Sequence, residues 1–313
     1  LDCIIAIHNT NLGPALGGVR SWSYDNFDSQ LEDVTRLAEA MSFKNSICGI
    51  NFGGGKATLN LKGVSKTQEL YQSYAEAVEF LNGSYLTAGD VNTNKEDLIE
   101  CAKVSKHVYG INVETSAPTA RGLFYAIKST QRFINKRDNL ENVHVAISGV
   151  GKVGSKLAKL LSQSNVKITA SSINKELINK LKSEIKLTEV LPENLFKIKC
   201  DIISPCALGG VVNNAVKNQL KCLAIVGAAN NQLESSDIGE WLLKKEIIYS
   251  PDYLVNSGGV IAIAAEINKK ENLLERYLEK IGERLIPVLE ESKKNAKSTD
   301  FVSRRIAWER INS

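Results

Sequence analysis

The stretch VHVAISGVGKVGSKLAKLLSQS, residues 143–164, decides the fold of this chain. Its first six residues are mostly apolar, which is typical of a buried strand, and its last ten have the leucine spacing of an amphipathic helix. Between these two elements, Gly149, Gly151 and Gly154 form the pattern G-x-G-x-x-G. A strand, a glycine turn and a helix in this order indicate a βαβ unit that binds a dinucleotide.

Each glycine of the motif has a physical task. Gly149 permits the tight turn, Gly151 lets the backbone approach a pyrophosphate, and Gly154 lets helix and strand pack closely. The helix N-terminus, with Lys152 and Val153, would face the anion. We therefore expect all five residues to bind the cofactor. The alternative is a glycine-rich turn with a purely structural role.

The cofactor preference depends on the end of the second strand, KITASS (residues 167–172). A carboxylate about 20 residues after the motif usually binds the ribose hydroxyls of NAD. Here that position is Ser172, which can bond a hydroxyl but cannot repel a 2′-phosphate, and Lys175 follows nearby. We expect Ser172 to contact the cofactor, and the sequence leaves NAD against NADP open.

The rest of the chain predicts an α/β fold with two domains. DIISP, CLAIVG and EIIYS (201–205, 222–227 and 246–250) continue the strands of a doubly wound parallel sheet. In the first third, CIIAI (3–7) and ATLNL (57–61) are predicted strands. They alternate with helices that begin near Ser29, Ser65 and Thr93, where capping-box spacing occurs.

Composition excludes several classes of protein. The 313 residues carry 39 basic and 35 acidic side chains, for a net charge of +4, which does not favour nucleic-acid binding. No apolar run is long enough to span a membrane. The six cysteines are scattered, without metal-ligand spacing, so we expect no metal and a reducing, cytoplasmic location. The chain starts at Leu1 and enters an apolar stretch at once, which suggests a missing N-terminal segment.

A second glycine run, Gly53-Gly54-Gly55-Lys56, resembles a phosphate-binding P-loop only superficially. Ile50 stands where the first P-loop glycine belongs, and Ala57 replaces the Ser or Thr that would hold magnesium. We expect these glycines to let the backbone approach a small ligand, with the lysine projecting into its site.

Six separate stretches resemble one family, the leucine, valine, phenylalanine and tryptophan dehydrogenases. They are LGPALGGVR (12–20), MSFKNSICGINFGGGKA (41–57), NGSYLTAGDVNT (82–93), PCALGG (205–210), GAANNQLE (227–234) and YSPDYLVNSGGVI (249–261). The resemblance implies NAD-dependent oxidative deamination of an apolar L-amino acid to the 2-oxo acid and ammonia, and the reverse reaction. NADP stays open as the cofactor.

The resemblance also implies an architecture. A substrate-binding and oligomerisation domain would cover residues 1–120 and be completed by 266–313, and a Rossmann-like cofactor domain would cover 121–265, with a cleft between them. Homo-oligomers, dimers or octamers, are expected. A catalytically weak nucleotide-binding homologue with a regulatory or structural role is the alternative, because Ser172 and a short 110–119 loop depart from the family pattern.

By the same resemblance, Lys44 binds the substrate carboxylate, Lys56 is the general base and Asp90 relays protons. A lysine acts as a base only if its pKa is lowered, which burial and a neighbouring cation would achieve. The alternatives are solvated surface charges for the lysines and a capping or turn role for Asp90.

Further residues match the family's binding positions. Gly17 and Gly18 would let the backbone approach the substrate, or form a turn, and Asn256 would contact the substrate, or precede a glycine turn. Apolar Leu16 and Ala88 would shape the side-chain pocket, which excludes a charged substrate side chain. On the cofactor side, Thr119 would lie near the nicotinamide, or cap a helix, and Cys206 would line the site, or be a buried hydrophobe. Ala207 and Asn230 complete that lining.

Overall fold

The computed structural model describes residues 1–313, which form two compact units. Unit 1 comprises Leu1–Val113, Ile263–Glu271 and Ile306–Ser313, and unit 2 comprises Glu114–Ala262 and Asn272–Arg305. This grouping differs from the expected division in residues 114–120 and 272–305, which pack with unit 2, and in residues 263–265, which pack with unit 1. The assignment of substrate and cofactor functions to the two parts of the chain stays a prediction.

Unit 1 is built on a four-stranded sheet with the order β1-β3-β2-β4. Strand β2 lies parallel to β3 and β4, and β1 lies antiparallel to β3 at the edge. The carboxyl ends of the three parallel strands therefore lie at one edge of the sheet. Its elements are β1 (Cys3–Asn9), β2 (Ala15–Trp22), α1 (Phe27–Ile47), β3 (Gly53–Asn60), α2 (Gln68–Phe80), β4 (Tyr85–Gly89) and α3 (Lys95–Ala102).

The glycine runs of unit 1 lie in strands. The predicted strand at 3–7 is confirmed within β1, but β3 begins at Gly53, four residues before the predicted start. Gly17 and Gly18 lie in the middle of β2, so the turn alternative for them is wrong. A Cβ on Gly17 would lie 1.8 Å from the carbonyl oxygen of Gly55, so this close strand pair admits only glycine there.

The predicted helices are present, but their caps differ from the expected residues. Helix α1 begins after Asn26, whose side chain accepts the amide of Ser29, and Ser29 returns the bond as the second half of a capping box. Ser29 is thus the third residue of the helix and not its cap. The caps of the three helices are Asn26, Thr67 and Asn94, where the sequence predicted Ser29, Ser65 and Thr93.

Unit 2 contains the predicted doubly wound parallel sheet, with the strand order β7-β6-β5-β8-β9-β10. The chain order reverses between β5 and β8, which is where such sheets bind ligands. Its strands are β5 (His144–Ser148), β6 (Lys167–Ser171), β7 (Thr188–Glu189), β8 (Ile202–Pro205), β9 (Ala224–Ile225) and β10 (Ile248–Tyr249).

Helices cover the sheet of unit 2. No helix of the chain is both long and apolar enough to cross a lipid bilayer. The remaining helices are α4 (Ser116–Asn135), α5 (Lys152–Ser162), α6 (Lys175–Glu184), α7 (Pro192–Leu195), α8 (Ser236–Lys244), α9 (Asp252–Val255), α10 (Gly258–Ile267), α11 (Leu274–Asn295) and α12 (Thr299–Ile311).

Candidate active site

Lys56 is a buried lysine in the middle of β3, with only 5% of its surface exposed. Its side chain leaves the sheet on the face covered by α1, because Thr58, two residues further along the strand, accepts a hydrogen bond from Gln30 of that helix. The Lys56 ammonium lies 3.1 Å from Oδ2 of Asp90, which follows the last residue of β4. The structure thus brings together the predicted base and the predicted proton relay.

Asp90 is positioned by close packing between β4 and β2. A Cβ on Gly18 would lie 2.5 Å from the Gly89 carbonyl oxygen and 3.0 Å from the Asp90 Cβ. The missing side chain at Gly18 therefore lets the Asp90 carboxylate sit beside the neighbouring strand. Asp90 is neither a helix cap nor simply a surface turn residue, because its carboxylate makes ion pairs on this face.

The charges of this pair are set by burial and by neighbouring ions. Burial disfavours the ammonium and lowers the pKa of Lys56, although the Asp90 carboxylate opposes that change. Burial raises the pKa of Asp90, but the cations of Lys56 and Arg20 outweigh it and hold the net pKa below its ordinary value. The result is an ionised carboxylate beside a lysine that gives up its proton more easily than usual.

Arg20 is the neighbouring cation that the sequence analysis did not single out. Its Nε donates to Asp90 Oδ2 at 3.1 Å, and its NH1 donates to Asp33 Oδ2 at 2.9 Å. Residues 18 and 20 of one strand lie on the same face, but only the structure shows that this face of β2 meets Asp90. Gly18 faces Asp90, so Arg20 faces it too.

Lys44 lies in the last turn of α1. A cation is favourable at this end of the helix dipole. The next residue, Asn45, is fully buried and donates to the carbonyl oxygens of Gly53 and Leu16, at 2.6 and 3.3 Å. These bonds fix the end of α1 against β3 and β2. The buried Leu16 of β2 lies opposite the β4 residue that stands two positions before Ala88.

In unit 2, the glycine motif has the geometry of a dinucleotide turn. Gly149 follows β5 with φ +95°, and a Cβ there would lie 2.6 Å from the Ala207 Cβ. A Cβ on Gly154 would lie 2.0 Å from the Gly149 carbonyl oxygen. A Cβ on Gly151 would meet no protein atom within 4 Å, so the second glycine leaves open space in front of the backbone.

Gly151 is also the N-cap of α5 and supplies no side chain to the amides of the first helical turn. The N–H groups at Lys152 and Val153 therefore point toward that open space with the positive end of the helix dipole. This arrangement fits a bound pyrophosphate.

Cys206 follows β8, and its amide donates to the carbonyl oxygen of Ser148 at the end of β5. Burial raises the pKa of its thiol, so Cys206 is no activated nucleophile. Thr119 lies inside α4, where its hydroxyl donates to the carbonyl oxygen of Thr115 at 2.8 Å, so it is not the helix cap. Contact of either residue with a cofactor stays a prediction.

Asn230 and Asn256, predicted for the cofactor and the substrate respectively, are joined by a hydrogen bond. The Asn256 amide nitrogen donates to Oδ1 of Asn230 at 2.8 Å and to the Ala228 carbonyl oxygen at 3.2 Å. Asn256 ends α9, and Asn230 follows β9, so the bond links two loops beside the sheet.

Ser172 directly follows β6, and its hydroxyl accepts the amide of Asn174 at 3.1 Å. Lys175, the nearby cation, donates to Glu189 at 2.8 Å, and Lys182 binds the same carboxylate at 2.9 Å. The Lys175 charge is therefore partly balanced, which weakens the expected attraction of a 2′-phosphate.

The 110–119 segment is held at both ends by carboxylates. The Gly110 amide donates to Glu266 at 2.7 Å within unit 1. In unit 2, Glu114 accepts the amides of Ser116 and Ala117 at 2.9 and 2.8 Å. Burial raises the pKa of Glu114, but these bonds and Lys156 lower it to about 2. Neither anchor follows from a pattern in the sequence.

The chain matches known proteins along its whole length. Residues 1–106 match the family model of the Glu/Leu/Phe/Val dehydrogenase dimerisation domain, and residues 110–182 and 170–300 match that of glutamate/leucine/phenylalanine/valine dehydrogenase. Leucine dehydrogenase of Bacillus cereus is 37% identical over 322 residues, covering 100% of this chain and 88% of the relative.

Two further relatives agree. Phenylalanine dehydrogenase of Thermoactinomyces intermedius is 39% identical over 324 residues, covering 99% of this chain and 88% of that protein. The crystal structure of L-tryptophan dehydrogenase from Nostoc punctiforme superposes with a TM-score of 0.93 at 34% identity, covering 99% and 92% of the two chains. With the fold, both family models and full-length relatives in agreement, the chain belongs to the Glu/Leu/Phe/Val dehydrogenase family.

Proposed function

We propose that this chain is an amino-acid dehydrogenase that converts an apolar L-amino acid to the 2-oxo acid and ammonia with a nicotinamide cofactor, and catalyses the reverse amination. The observation that carries the proposal is the buried Lys56 beside the ionised Asp90. An amine with a lowered pKa next to a carboxylate is suited to proton transfer near neutral pH. The family membership and the names of the relatives support the same chemistry.

The residues of unit 1 would divide the work as follows. The Lys44 ammonium binds the substrate carboxylate as a point charge. Asp90 takes a proton from the substrate ammonium, so that the nitrogen lone pair can assist loss of hydride from Cα. A nicotinamide cofactor, when bound, would supply the acceptor for that hydride. Lys56, as the free amine, then removes a proton from a water that attacks the iminium carbon. Asp90 returns a proton to the nitrogen, and as the C–N bond breaks and ammonia leaves, the regenerated Asp90 carboxylate takes the hydroxyl proton, so that the C=O bond of the 2-oxo acid forms.

Unit 2 supports the cofactor assignment. The open space at Gly151 and the uncapped first turn of α5 would take the pyrophosphate, with Gly149, Lys152, Val153 and Gly154 around it. Cys206 and Ala207 would line this pocket beside the β5–β8 switch point. Thr119, Asn230 and Asn256 would lie toward the nicotinamide and the substrate.

We infer that NAD is the preferred cofactor and that discrimination against NADP is weak. Ser172 stands at the end of β6 and can bond a ribose hydroxyl, but it carries no charge to repel a 2′-phosphate. Lys175 adds little attraction for that phosphate, because Glu189 holds it. The two effects leave a modest preference for NAD.

The substrate side chain is apolar in this proposal. Leu16 and Ala88 are both buried and carry no polar atoms in their side chains. A charged substrate side chain against them would lose its hydration without gaining a partner. The relatives named for leucine, phenylalanine and tryptophan agree with this class.

We also propose a homo-oligomer assembled through unit 1, a dimer or a larger assembly such as an octamer. The family model that matches residues 1–106 describes a dimerisation domain. Strand β1 lies at the sheet edge with a free row of backbone groups, and Ile7 on it is 39% exposed. Light scattering of the active protein should give at least twice the chain mass, and an active monomer would refute the assembly.

One experiment tests the proposed activity, the cofactor and the substrate together. NAD and NADP are each mixed with a panel of L-amino acids that includes leucine, valine, phenylalanine, tryptophan and glutamate, and the absorbance of the reduced nicotinamide is followed. Turnover with apolar amino acids and NAD, and none with glutamate, supports the proposal. Absence of turnover with every pair contradicts it.

A further inference from the structure

Two cations share one oxygen of the Asp90 carboxylate. Oδ2 lies 3.1 Å from the Lys56 ammonium and 3.1 Å from Nε of Arg20. The proton transfers proposed above need the first contact, and nothing in them uses the second.

Arg20 itself is held in one orientation by a second carboxylate. Its NH1 donates to Asp33 Oδ2 at 2.9 Å, while Tyr24 donates to that same oxygen at 2.8 Å. Arg36 binds the other oxygen of Asp33 at 2.8 Å. The planar guanidinium therefore bridges Asp33 and Asp90 along two different edges, a geometry that a lysine ammonium cannot copy.

The charge of Arg20 is constant, whereas the charge of Lys56 changes during the proposed reaction. When Lys56 becomes a neutral amine, its attraction for the Asp90 carboxylate disappears. A largely buried carboxylate beside a neutral amine tends to take up a proton and lose its capacity as a base. A permanent cation at 3.1 Å prevents this.

We propose that Arg20 is a positioning residue that keeps Asp90 oriented, and ionised until it takes the substrate proton, while Lys56 is the free amine. The inference rests on the proposed function for the identity of the reaction, and on the contacts within unit 1 for the geometry. Asp33 and Tyr24 serve it by fixing the guanidinium. The role is distinct from contact with substrate, because Arg20 acts through Asp90.

The same cation acts on Lys56. Its charge lowers the pKa of Lys56 and partly cancels the opposite effect of Asp90. Tyr24 and Tyr85, the phenols nearby, stay neutral because burial raises the pKa of both. The charged groups that act on the pair are Arg20 of β2 and Asp33 of α1, whereas Arg36 contacts only Asp33.

Arg20→Gln, Arg20→Lys and the control Arg36→Gln test the inference. Arg36 also binds Asp33, but its side chain is 57% exposed and makes no bond to Asp90. The measurement is kcat/KM for oxidative deamination against pH, whose acidic limb reports deprotonation of Lys56. We expect Arg20→Gln to move this limb up by about one pH unit, because a repulsive cation near Lys56 is lost.

Arg20→Lys should restore the pH of the acidic limb to within about 0.3 pH units of that of the unmodified chain, since the charge is kept. The plateau of kcat/KM should stay roughly tenfold or more below that of the unmodified chain, because a lysine cannot bridge the two carboxylates. Arg36→Gln should leave both quantities nearly unchanged. An unmoved limb in Arg20→Gln, or a limb that lysine does not restore, overturns the inference.

A second readout does not depend on turnover. Competitive acetylation with acetic anhydride over a pH series, quantified by mass spectrometry of the Lys56 peptide, gives the pKa of Lys56 directly. If the protein turns over no amino acid but Arg20→Gln still raises this pKa, the proposed function fails and the electrostatic role stands. If turnover is present and the labelling pKa does not move, the inference fails alone. Circular dichroism confirms that each variant is folded.

Discussion

The ammonium of Lys56 lies 3.1 Å from Asp90 Oδ2, so each of these two groups sets the charge of the other. Lys56 is buried on β3, and the carboxylate comes from the residue that follows β4. Neither strand neighbours the other in the sheet, because β2 lies between them. The glycines of β2 leave the space across which the pair meets.

Lys56→Ala should reduce kcat by about 10²–10⁴-fold, the usual contribution of a general base. The fold and the binding of NAD should persist, because unit 2 carries the cofactor motif. Steady-state kinetics, circular dichroism and calorimetric titration with NAD measure the three quantities. Lys62→Ala is the matched control, since Lys62 is an exposed lysine shortly after the same strand. Near-normal turnover without Lys56 would remove it from the mechanism.

Asp90→Asn should move the acidic limb of kcat/KM to lower pH. The Asp90 carboxylate raises the pKa of Lys56, so a neutral amide of the same size removes that support and the amine forms at lower pH. The plateau should fall by about 10²-fold or more, because the proton relay is lost. The direction is opposite to that expected for Arg20→Gln. A limb that moves to higher pH would contradict the assigned electrostatics, and Asp25→Asn, at a 91% exposed side chain, should move nothing.

Gly151→Ala and Gly154→Ala separate cofactor binding from folding. The Cβ at residue 151 meets no protein atom, so Gly151→Ala should keep the thermal midpoint within a few degrees and weaken NAD binding at least about tenfold, by filling the pyrophosphate space. The Cβ at residue 154 would lie 2.0 Å from the Gly149 oxygen, so Gly154→Ala should destabilise the protein by about 1–3 kcal/mol. Unchanged affinity in Gly151→Ala would remove the cofactor from this turn.

The sequence predicts unit 2 better than unit 1, for a physical reason. In unit 2 the evidence is local: a strand, three glycines and a helix follow one another along the chain, and Gly154 packs against the Gly149 carbonyl oxygen of the same turn. In unit 1 the strands β2 and β3 contain a glycine pair and a glycine triplet, and glycine is depleted in strands, so the predicted strand began only at Ala57 and a turn stayed open for Gly17 and Gly18. A tertiary contact requires these glycines, because a Cβ on Gly17 would lie 1.8 Å from the Gly55 carbonyl oxygen.

The ion network around Asp90 was equally out of reach of sequence patterns. Arg20 finds its partners 13 and 70 residues away, at Asp33 and Asp90, and no periodicity connects such positions. The prediction of the helix cap failed for a different reason. Asn26 and Ser29 are both residue types that suit a cap, and only the backbone geometry of Asn26 decides between them.

Glu114→Gln should slightly lower the free energy of unfolding of unit 2 at neutral pH, and this effect should fade at acidic pH. The folded pKa of Glu114 is about 2, below its ordinary 4.5, so the ionised group stabilises the fold above pH 4.5 and this contribution is lost as the pH falls from 4.5 to 2. Because the side chain is 58% exposed, solvent screening limits the effect at pH 7 to less than about 1 kcal/mol. Urea midpoints at pH 7 and pH 3 measure it. The difference between the variant and the unmodified chain should shrink at pH 3, whereas the exposed control Glu141→Gln should show no difference at either pH.

Ser172→Asp should raise the ratio of kcat/KM for NAD to that for NADP by about tenfold or more. A carboxylate at the end of β6 would accept hydrogen bonds from the ribose hydroxyls of NAD and repel the 2′-phosphate of NADP. Repulsion should dominate, because Lys175 is held by Glu189 and cannot shield the new charge fully. Ser183→Asp places the same charge at an exposed position on α6 and should leave the ratio unchanged. The kcat/KM values of both cofactors in all three proteins decide the matter: if Ser172→Asp leaves the ratio where it was, residue 172 does not face the ribose.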